Sequence, residues 1–88
     1  GIIRNDKEAI KWYRLSAEQG VTGAQSNLGL MYEKGQGIEQ NFIEAHRWFN
    51  IAGMNGNKTG RRNADIIEKK MTVGQIAIAT GLARKWNK

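Results

Sequence analysis

The chain has 88 residues, of which 40% are hydrophobic and 25% are charged. This composition is near the globular average and excludes the low hydrophobicity of disordered chains. Because cysteine is absent and no apolar run approaches the ~18 residues of a membrane span, the sequence excludes disulfides, thiolate metal sites and a transmembrane helix.

The formal net charge of +6 is unevenly distributed. Residues 1–56 contain six basic and six acidic side chains, whereas residues 57–88 contain eight basic and two acidic ones. Such an excess is found on surfaces that bind nucleic acid or acidic proteins, although solvated helix faces explain most of them.

An internal repeat organises the chain. A shift of 36 residues superposes identical residues at seven of the first twenty positions. The pairs are Gly1 and Gly37, Ile2 and Ile38, Asn5 and Asn41, Glu8 and Glu44, Ala9 and Ala45, Trp12 and Trp48, and Gly20 and Gly56. A period of this length is typical of a helical solenoid, in which each unit buries its apolar face against the next.

The first predicted helix covers residues 6–19. It has an apolar stripe at helical spacing that includes Ala9, Trp12 and Tyr13, and Gly20 closes it. Asn5 with Glu8, and Asn41 with Glu44 in the next copy, have the spacing of a capping box, in which the Asn side chain accepts a backbone N–H and the Glu side chain bonds back to the Asn backbone. Since Trp12 aligns with Trp48, both tryptophans are predicted to lie in the core.

The second predicted helix covers residues 23–34. Leu28 and Tyr32 share its apolar face with Ala24 and Met31, and Gly29 offers a site of close approach for a neighbouring helix. Gly35 and Gly37 follow as the turn that ends the helix.

Three further helices are predicted. Residues 42–55 repeat the first helix, with Ala45 and Trp48 in its core and Gly56 at its end, and residues 58–70 are a weaker copy of the second. The capping pattern of Thr72 and Gln75 opens a last helix. The fold class is therefore all-α, an α/α solenoid of about five helices in antiparallel pairs.

This spacing of small and aromatic residues resembles that of the Sel-one-like repeat (SLR) family, which is related to the tetratricopeptide repeat. The residues that carry the resemblance are Ala24, Leu28, Gly29, Tyr32, Gly35, Gly37, Ile38, Asn41, Glu44, Ala45, Trp48, Phe49, Ala52 and Gly56. The stretch from Glu68 to Trp86 is similar to the segment that often ends such arrays.

The resemblance implies one domain over residues 1–88. We expect 1–20 to be the second helix of a truncated repeat within a longer protein, 21–56 a full repeat, 57–71 a degenerate repeat helix and 72–88 a capping helix. Asp65 and Glu68 stand where the first copy has Gly29 and Tyr32, which suits a terminal cap.

Within the family, the first helix of each repeat lines the concave side of the superhelix, and the resemblance implies a scaffold or adaptor that binds a protein or peptide there. The helical wheel places the candidate contacts opposite the core face. These are Ser26, Leu30, Glu33, Lys34, Arg62, Ile66, Lys69 and Lys70. An acidic peptide anchored at Leu30 or Ile66 would suit them.

No constellation of residues indicates catalysis, a metal or another cofactor. The only histidine, His46, lacks partners for a triad and is expected at a helix surface or half-buried. Arg61, Asp65 and Lys69 have the i,i+4 spacing of surface ion pairs. The chain is therefore predicted not to be an enzyme.

Two alternatives to peptide binding are a nucleic-acid surface in residues 57–88 and a purely structural cap. No aromatic-interleaved basic motif supports nucleic-acid binding, which the sequence disfavours. The uncovered face of the first helix favours self-association. The sequence contains no visible targeting signal and does not predict the compartment.

Overall fold

The computed structural model describes residues 6–86, and these form an all-α fold without strands. The predicted fold class is confirmed. The helices are α1 (Asp6–Glu18), α2 (Thr22–Lys34), α3 (Phe42–Met54), α4 (Lys58–Ile67) and α5 (Val73–Arg84), with a 3-10 turn at Glu68–Lys70 between α4 and α5.

The helices stack in chain order as far as α4. Contacts join α1 to α2, α2 to α3 and α3 to α4, and α2 also touches α4. The last helix breaks this order, because α5 packs along α3 and scarcely touches α4. The helix α3 is therefore the centre of the stack.

The turns follow the repeat. Gly20 and Gly56, which are 36 positions apart, both have a φ of 95°. Gly35 has a φ of 71°, and its N–H donates to the Met31 carbonyl at 2.8 Å, which caps α2. A left-handed backbone of this kind favours glycine, so these residues end the helices as the sequence predicts.

Side-chain caps start α3 and α5. The Asn41 side chain accepts a hydrogen bond from the Glu44 N–H at 3.1 Å, but the Asn41 N–H donates to the Tyr32 carbonyl at 2.9 Å. The predicted return bond from Glu44 is therefore wrong. Thr72 and Gln75 form both bonds of a capping box. The corresponding prediction for Asn5 lies outside the described residues.

Two apolar clusters make up the core. The larger is formed by α1, α2, α3 and α5 and contains Ile10, Ala17, Ala24, Leu28, Met31, Trp48, Ile51 and Ala83. The smaller joins α3 to α4 and contains Ala45, Phe49, Ala64 and Ile67. Ala9, Tyr13 and Tyr32 are half-buried against the larger cluster, so most of the predicted core positions lie where the repeat places them.

Gly29 is a point of close approach between α2 and α3. A Cβ atom at this position would lie 2.5 Å from Cε1 of the fully buried Phe49 ring. No side chain can be accommodated there without moving the ring. The predicted close approach at Gly29 is confirmed.

The prediction that Trp12 lies in the core is wrong. Trp12 is 63% exposed, whereas its repeat equivalent Trp48 is 4% exposed. Trp48 packs edge-on against Trp86 with ring centroids 6.5 Å apart. The helix α3 lies between other helices, while α1 stands at the end of the described stack with one face uncovered.

We expect Trp48→Ala to lower the free energy of unfolding by about 3–5 kcal/mol, because it empties a buried aromatic site. This loss corresponds to a decrease in Tm of roughly 12 °C or more in a domain of this size. Trp12→Ala is the matched control and should shift Tm by less than about 4 °C. Equal shifts in thermal melts followed by circular dichroism would contradict the core assignment.

Gly29→Ala should lower the free energy of unfolding by about 1–3 kcal/mol, since the new methyl group collides with Phe49. Gly23→Ala lies in the same helix and meets nothing within 4 Å. This control should leave stability unchanged or raise it by about 0.4–1 kcal/mol. Urea denaturation of both variants measures the difference, and a Gly29→Ala protein as stable as Gly23→Ala would refute the close packing.

Candidate partner-binding face

Ser26 does not belong to an open surface, and its placement among the exposed candidates is wrong. It is 6% exposed, and its hydroxyl donates to Asn57 Oδ1 at 3.2 Å. The same Asn57 oxygen accepts the Gly60 N–H at 2.7 Å as the cap of α4. The start of α4 therefore covers Ser26, which links the two helices instead of facing a partner.

The two predicted apolar anchors differ in exposure. Leu30 is half-buried and packs against the cluster of Phe49, Ala64 and Ile67. Ile66 is 48% exposed. Ile66 is therefore the anchor that remains accessible, whereas most of Leu30 is engaged in holding α2 to α4.

Glu33 and Lys70 connect the end of α2 to the 3-10 turn. Lys70 Nζ lies 3.5 Å from Glu33 Oε2, and the Glu33 side chain is 18% exposed. Lys70 also lies over the Phe42 ring, 6.0 Å from its centroid. The ion pair neutralises Glu33, the acidic residue among the candidates, and links the end of α2 to the 3-10 turn.

Four of the candidates are cations: one at the end of α2, one on α4 and two in the 3-10 turn. We call Lys34, Arg62, Ile66, Lys69 and Lys70 the basic strip; all five residues are exposed. Of the residues that the structure describes, none forms an ion pair within 4.0 Å of Lys34, Arg62 or Lys69. Three of the four charges are thus available to a ligand.

His46 is buried, whereas the sequence predicts a position at the helix surface or half-buried. It is 1% exposed, and its Nε2–H donates to Glu68 Oε2 at 2.8 Å, because a carboxylate oxygen can only accept. The alignment contained a signal, since His46 replaces Ile10 and Glu68 replaces Tyr32. Both of those residues belong to the core of the first copy.

The ion pairs predicted along α4 are wrong. Across residues 6–86, Asp65 has no cation within 4.0 Å, although Arg61 and Lys69 have the required spacing. Asp65 instead lines a cleft that contains Arg61 and Glu68. Asp65 and Glu68 therefore line this cleft, whereas Arg62 and Ile66 do not.

Two arginines outside the strip, Arg14 and Arg47, are engaged within the protein. An N–H of Arg14 donates to the Tyr32 hydroxyl at 3.0 Å, and Arg47 pairs with Glu44 at 3.0 Å. The Arg47 guanidinium also lies 4.8 Å from the centre of the Trp48 ring. The Arg14 contact joins α1 to α2, and the Arg47 contacts lie within α3, so the basic strip is the stronger candidate for recognition.

Metal binding and membrane crossing are two other properties to consider for the described residues. Within 6–86, no three His, Asp or Glu side chains are grouped closely enough to hold a metal ion. Among the helices described, none combines the length and the apolar character needed to cross a membrane.

Comparison with known proteins identifies related repeats. The family model of the Sel1 repeat matches residues 1–21 and 22–57. A crystal structure of c5321, a protective antigen of uropathogenic Escherichia coli strains that displays an SLR fold, superposes with a TM-score of 0.92 and 35% sequence identity. The match covers 97% of this chain and 18% of that one.

Two curated proteins are also similar. DAP3-binding cell death enhancer 1 of Rattus norvegicus is 27% identical over 89% of this chain and 15% of its own length. Chitin synthase regulator SKT5 of Saccharomyces cerevisiae is 34% identical over 62% of this chain and 8% of its own length. The chain therefore spans less than a fifth of each of these relatives.

We expect Glu68→Ala to lower the free energy of unfolding by about 1–3 kcal/mol, because it leaves the buried His46 N–H without an acceptor. The matched control is Glu39→Ala, which removes an exposed carboxylate from the loop between α2 and α3. Chemical denaturation of both variants measures the effect. Equal stabilities would show that the bond between His46 and Glu68 contributes nothing.

Proposed function

Since this chain belongs to the Sel1 repeat family, whose members generally serve as protein-interaction scaffolds, we propose that it binds an acidic segment of a partner protein through the basic strip. The observation that carries the proposal is that all four cations of the strip and Ile66, one helical turn after Arg62, are exposed. Glu33, the acidic residue among the candidates, is already paired with Lys70.

Electrostatic attraction favours an acidic ligand. Lys34, Arg62 and Lys69 lie on separate elements, and the Glu33–Lys70 ion pair joins the end of α2 to the turn that carries Lys69. Cations arranged in this way steer an acidic peptide toward the face and exclude basic ones. Because these side chains are exposed to solvent, each contributes more to the rate of association than to the final affinity.

An apolar contact must supply the remaining affinity. Ile66 is the accessible apolar side chain of the strip, and it follows Arg62 by one helical turn. A partner residue that covers Ile66 would bury apolar surface in the centre of a charged rim, which is the usual arrangement of a binding hot spot. The partner is therefore an acidic segment with at least one apolar side chain.

The names of the relatives are consistent with binding. One relative is named for binding DAP3, and another is named as a regulator of chitin synthase. The proposal also holds that the chain acts without catalysis, as Sel1-repeat proteins generally do. Its only histidine is buried and hydrogen-bonded to Glu68, so it has a structural role.

Ile66→Asp should weaken binding of a fluorescein-labelled peptide of glutamate and leucine residues by about tenfold or more, since it removes the anchor and repels the ligand. Fluorescence anisotropy measures the dissociation constant. Val73→Asp is the matched control, because Val73 is an aliphatic residue that is 84% exposed and lies outside the strip. It should leave the affinity within about twofold of the parent protein.

The same titration distinguishes peptide binding from the nucleic-acid alternative. Binding of the acidic peptide should fall with added salt and should depend on Ile66. A duplex DNA oligonucleotide that binds more tightly than the peptide, with an affinity unchanged by Ile66→Ala, which removes the apolar anchor without adding charge, would favour the alternative. Equal peptide affinities of Ile66→Asp and Val73→Asp would remove the basic strip as the binding face.

A further inference from the structure

A polar cleft of about 400 Å³ lies between α3, α4 and α5. Its floor includes His46 and Asn50 from α3, and Thr80 of α5 lies on one side. The remaining lining residues are Gly53, Met54, Arg61, Ala64, Asp65 and Glu68. None of the residues of the basic strip lines this cleft.

The equivalent space in the first copy is closed and largely apolar. Shifting the cleft residues by 36 positions gives Ile10 for His46, Gln25 for Arg61, Gly29 for Asp65 and Tyr32 for Glu68. Ile10, Gln25 and Gly29 are buried and Tyr32 is half-buried, whereas Arg61 and Asp65 are exposed. The second copy therefore presents ionisable side chains where the first copy has core.

The neighbouring helix explains why the cleft stays open. In the first copy, Phe49 of α3 fills the space over Gly29. Phe49 is the eighth residue after the cap Asn41, and the eighth residue after the cap Thr72 is Thr80. Thr80 thus occupies the position in α5 that Phe49 occupies in α3. The helix α5 packs against α3 and does not cover α4.

The cleft contains polar groups with unused hydrogen-bonding capacity. His46 Nδ1 is buried and has no hydrogen-bond partner. In the described part of the chain, the side chains of Asn50, Arg61, Asp65 and Thr80 form no hydrogen bonds either. Glu68 uses one carboxylate oxygen for His46 and has a second one free. A buried polar atom is normally satisfied in a folded protein, so the unpaired His46 Nδ1 beside these solvent-accessible side chains indicates a ligand site.

We propose that this cleft binds an arginine side chain of a peptide partner. Asp65 and Glu68 outnumber Arg61, so the lining carries a net negative charge in a chain whose total is +6. A planar guanidinium with five N–H donors can bond to two carboxylates, here at the end of α4 and the start of the 3-10 turn, whereas a lysine ammonium presents a single point charge. The apolar side chains of Met54 and Ala64 are available to the aliphatic part of the arginine.

This site is separate from the basic strip and selects the opposite charge. Asp65 and Arg61 line the cleft, whereas Ile66 and Arg62 lie on the next face of α4. The two proposals can therefore fail independently, since an arginine peptide tests the cleft and an acidic peptide tests the strip.

The probe is an acetylated, amidated pentapeptide with a central arginine between glycines, and the same peptide with citrulline is its neutral isostere. Titration into the ¹⁵N-labelled protein is followed by NMR, where the only histidine gives one set of imidazole signals. We expect saturable shifts of the His46 imidazole and of the Asp65 and Thr80 amides. Citrulline should bind about tenfold more weakly, as the loss of one charged contact implies.

Two variants complete the experiment. Asp65→Asn replaces an exposed side chain, so it should preserve the fold and weaken the arginine peptide about tenfold. Glu39→Gln removes an exposed carboxylate outside the cleft and should leave the affinity unchanged. The proposal is overturned if the arginine peptide causes no saturable shift, if citrulline binds equally well, or if Asp65→Asn has no effect.

Discussion

The contact between Gly29 and Phe49 determines how the helices can stack. The Phe49 ring occupies the space where any other residue at position 29 would carry its Cβ atom. A second contact of this kind joins α3 to α4, since a Cβ at Gly60 would lie 2.8 Å from the Phe49 carbonyl oxygen. Glycines of α2 and α4 thus allow both helices to pack closely against α3, and Leu30 and Ser26 connect α2 to α4.

The two copies of the repeat show how one backbone plan accommodates different chemistry. Where Ile10 and Tyr32 contribute to apolar packing, His46 and Glu68 form a hydrogen bond. The exchange involves both partners, as it must, because a single polar residue buried among apolar ones would lack a partner. The resulting surface is polar and open, so it can bind a ligand, whereas the equivalent region of the first copy is part of the packed core.

Residue spacing was sufficient to predict the fold, because glycine turns, caps and the repeat are local or periodic properties of the sequence. The errors concern residues whose environment depends on which helix lies beside them. Trp12 and Trp48 have the same local pattern, and only their positions in the stack separate an exposed ring from a buried one. Ser26 is buried because the Asn57 cap docks on it, a contact between residues 31 positions apart.

The candidate site was less predictable than the fold for a related reason. A helical wheel identified Arg62 and Ile66 as exposed, since it needs only the direction of each side chain. It did not identify the cleft around His46, because that cleft depends on α5 packing against α3 and leaving α4 uncovered. The position of a residue in the tertiary structure, which the sequence period does not specify, determines whether a polar substitution lies in a candidate binding site.

The packing of α5 also means that the helices differ in the free energy of local unfolding. This helix buries only the small side chains of Ala79 and Ala83, while Val73 and Ile78 remain exposed. Detaching it therefore costs less than unfolding α2 or α3, and amide hydrogens of α5 should exchange through partial opening of the protein. Because Thr80 lines the cleft, a ligand bound there would also hold α5 in place, so occupancy and the local stability of the last helix are thermodynamically linked.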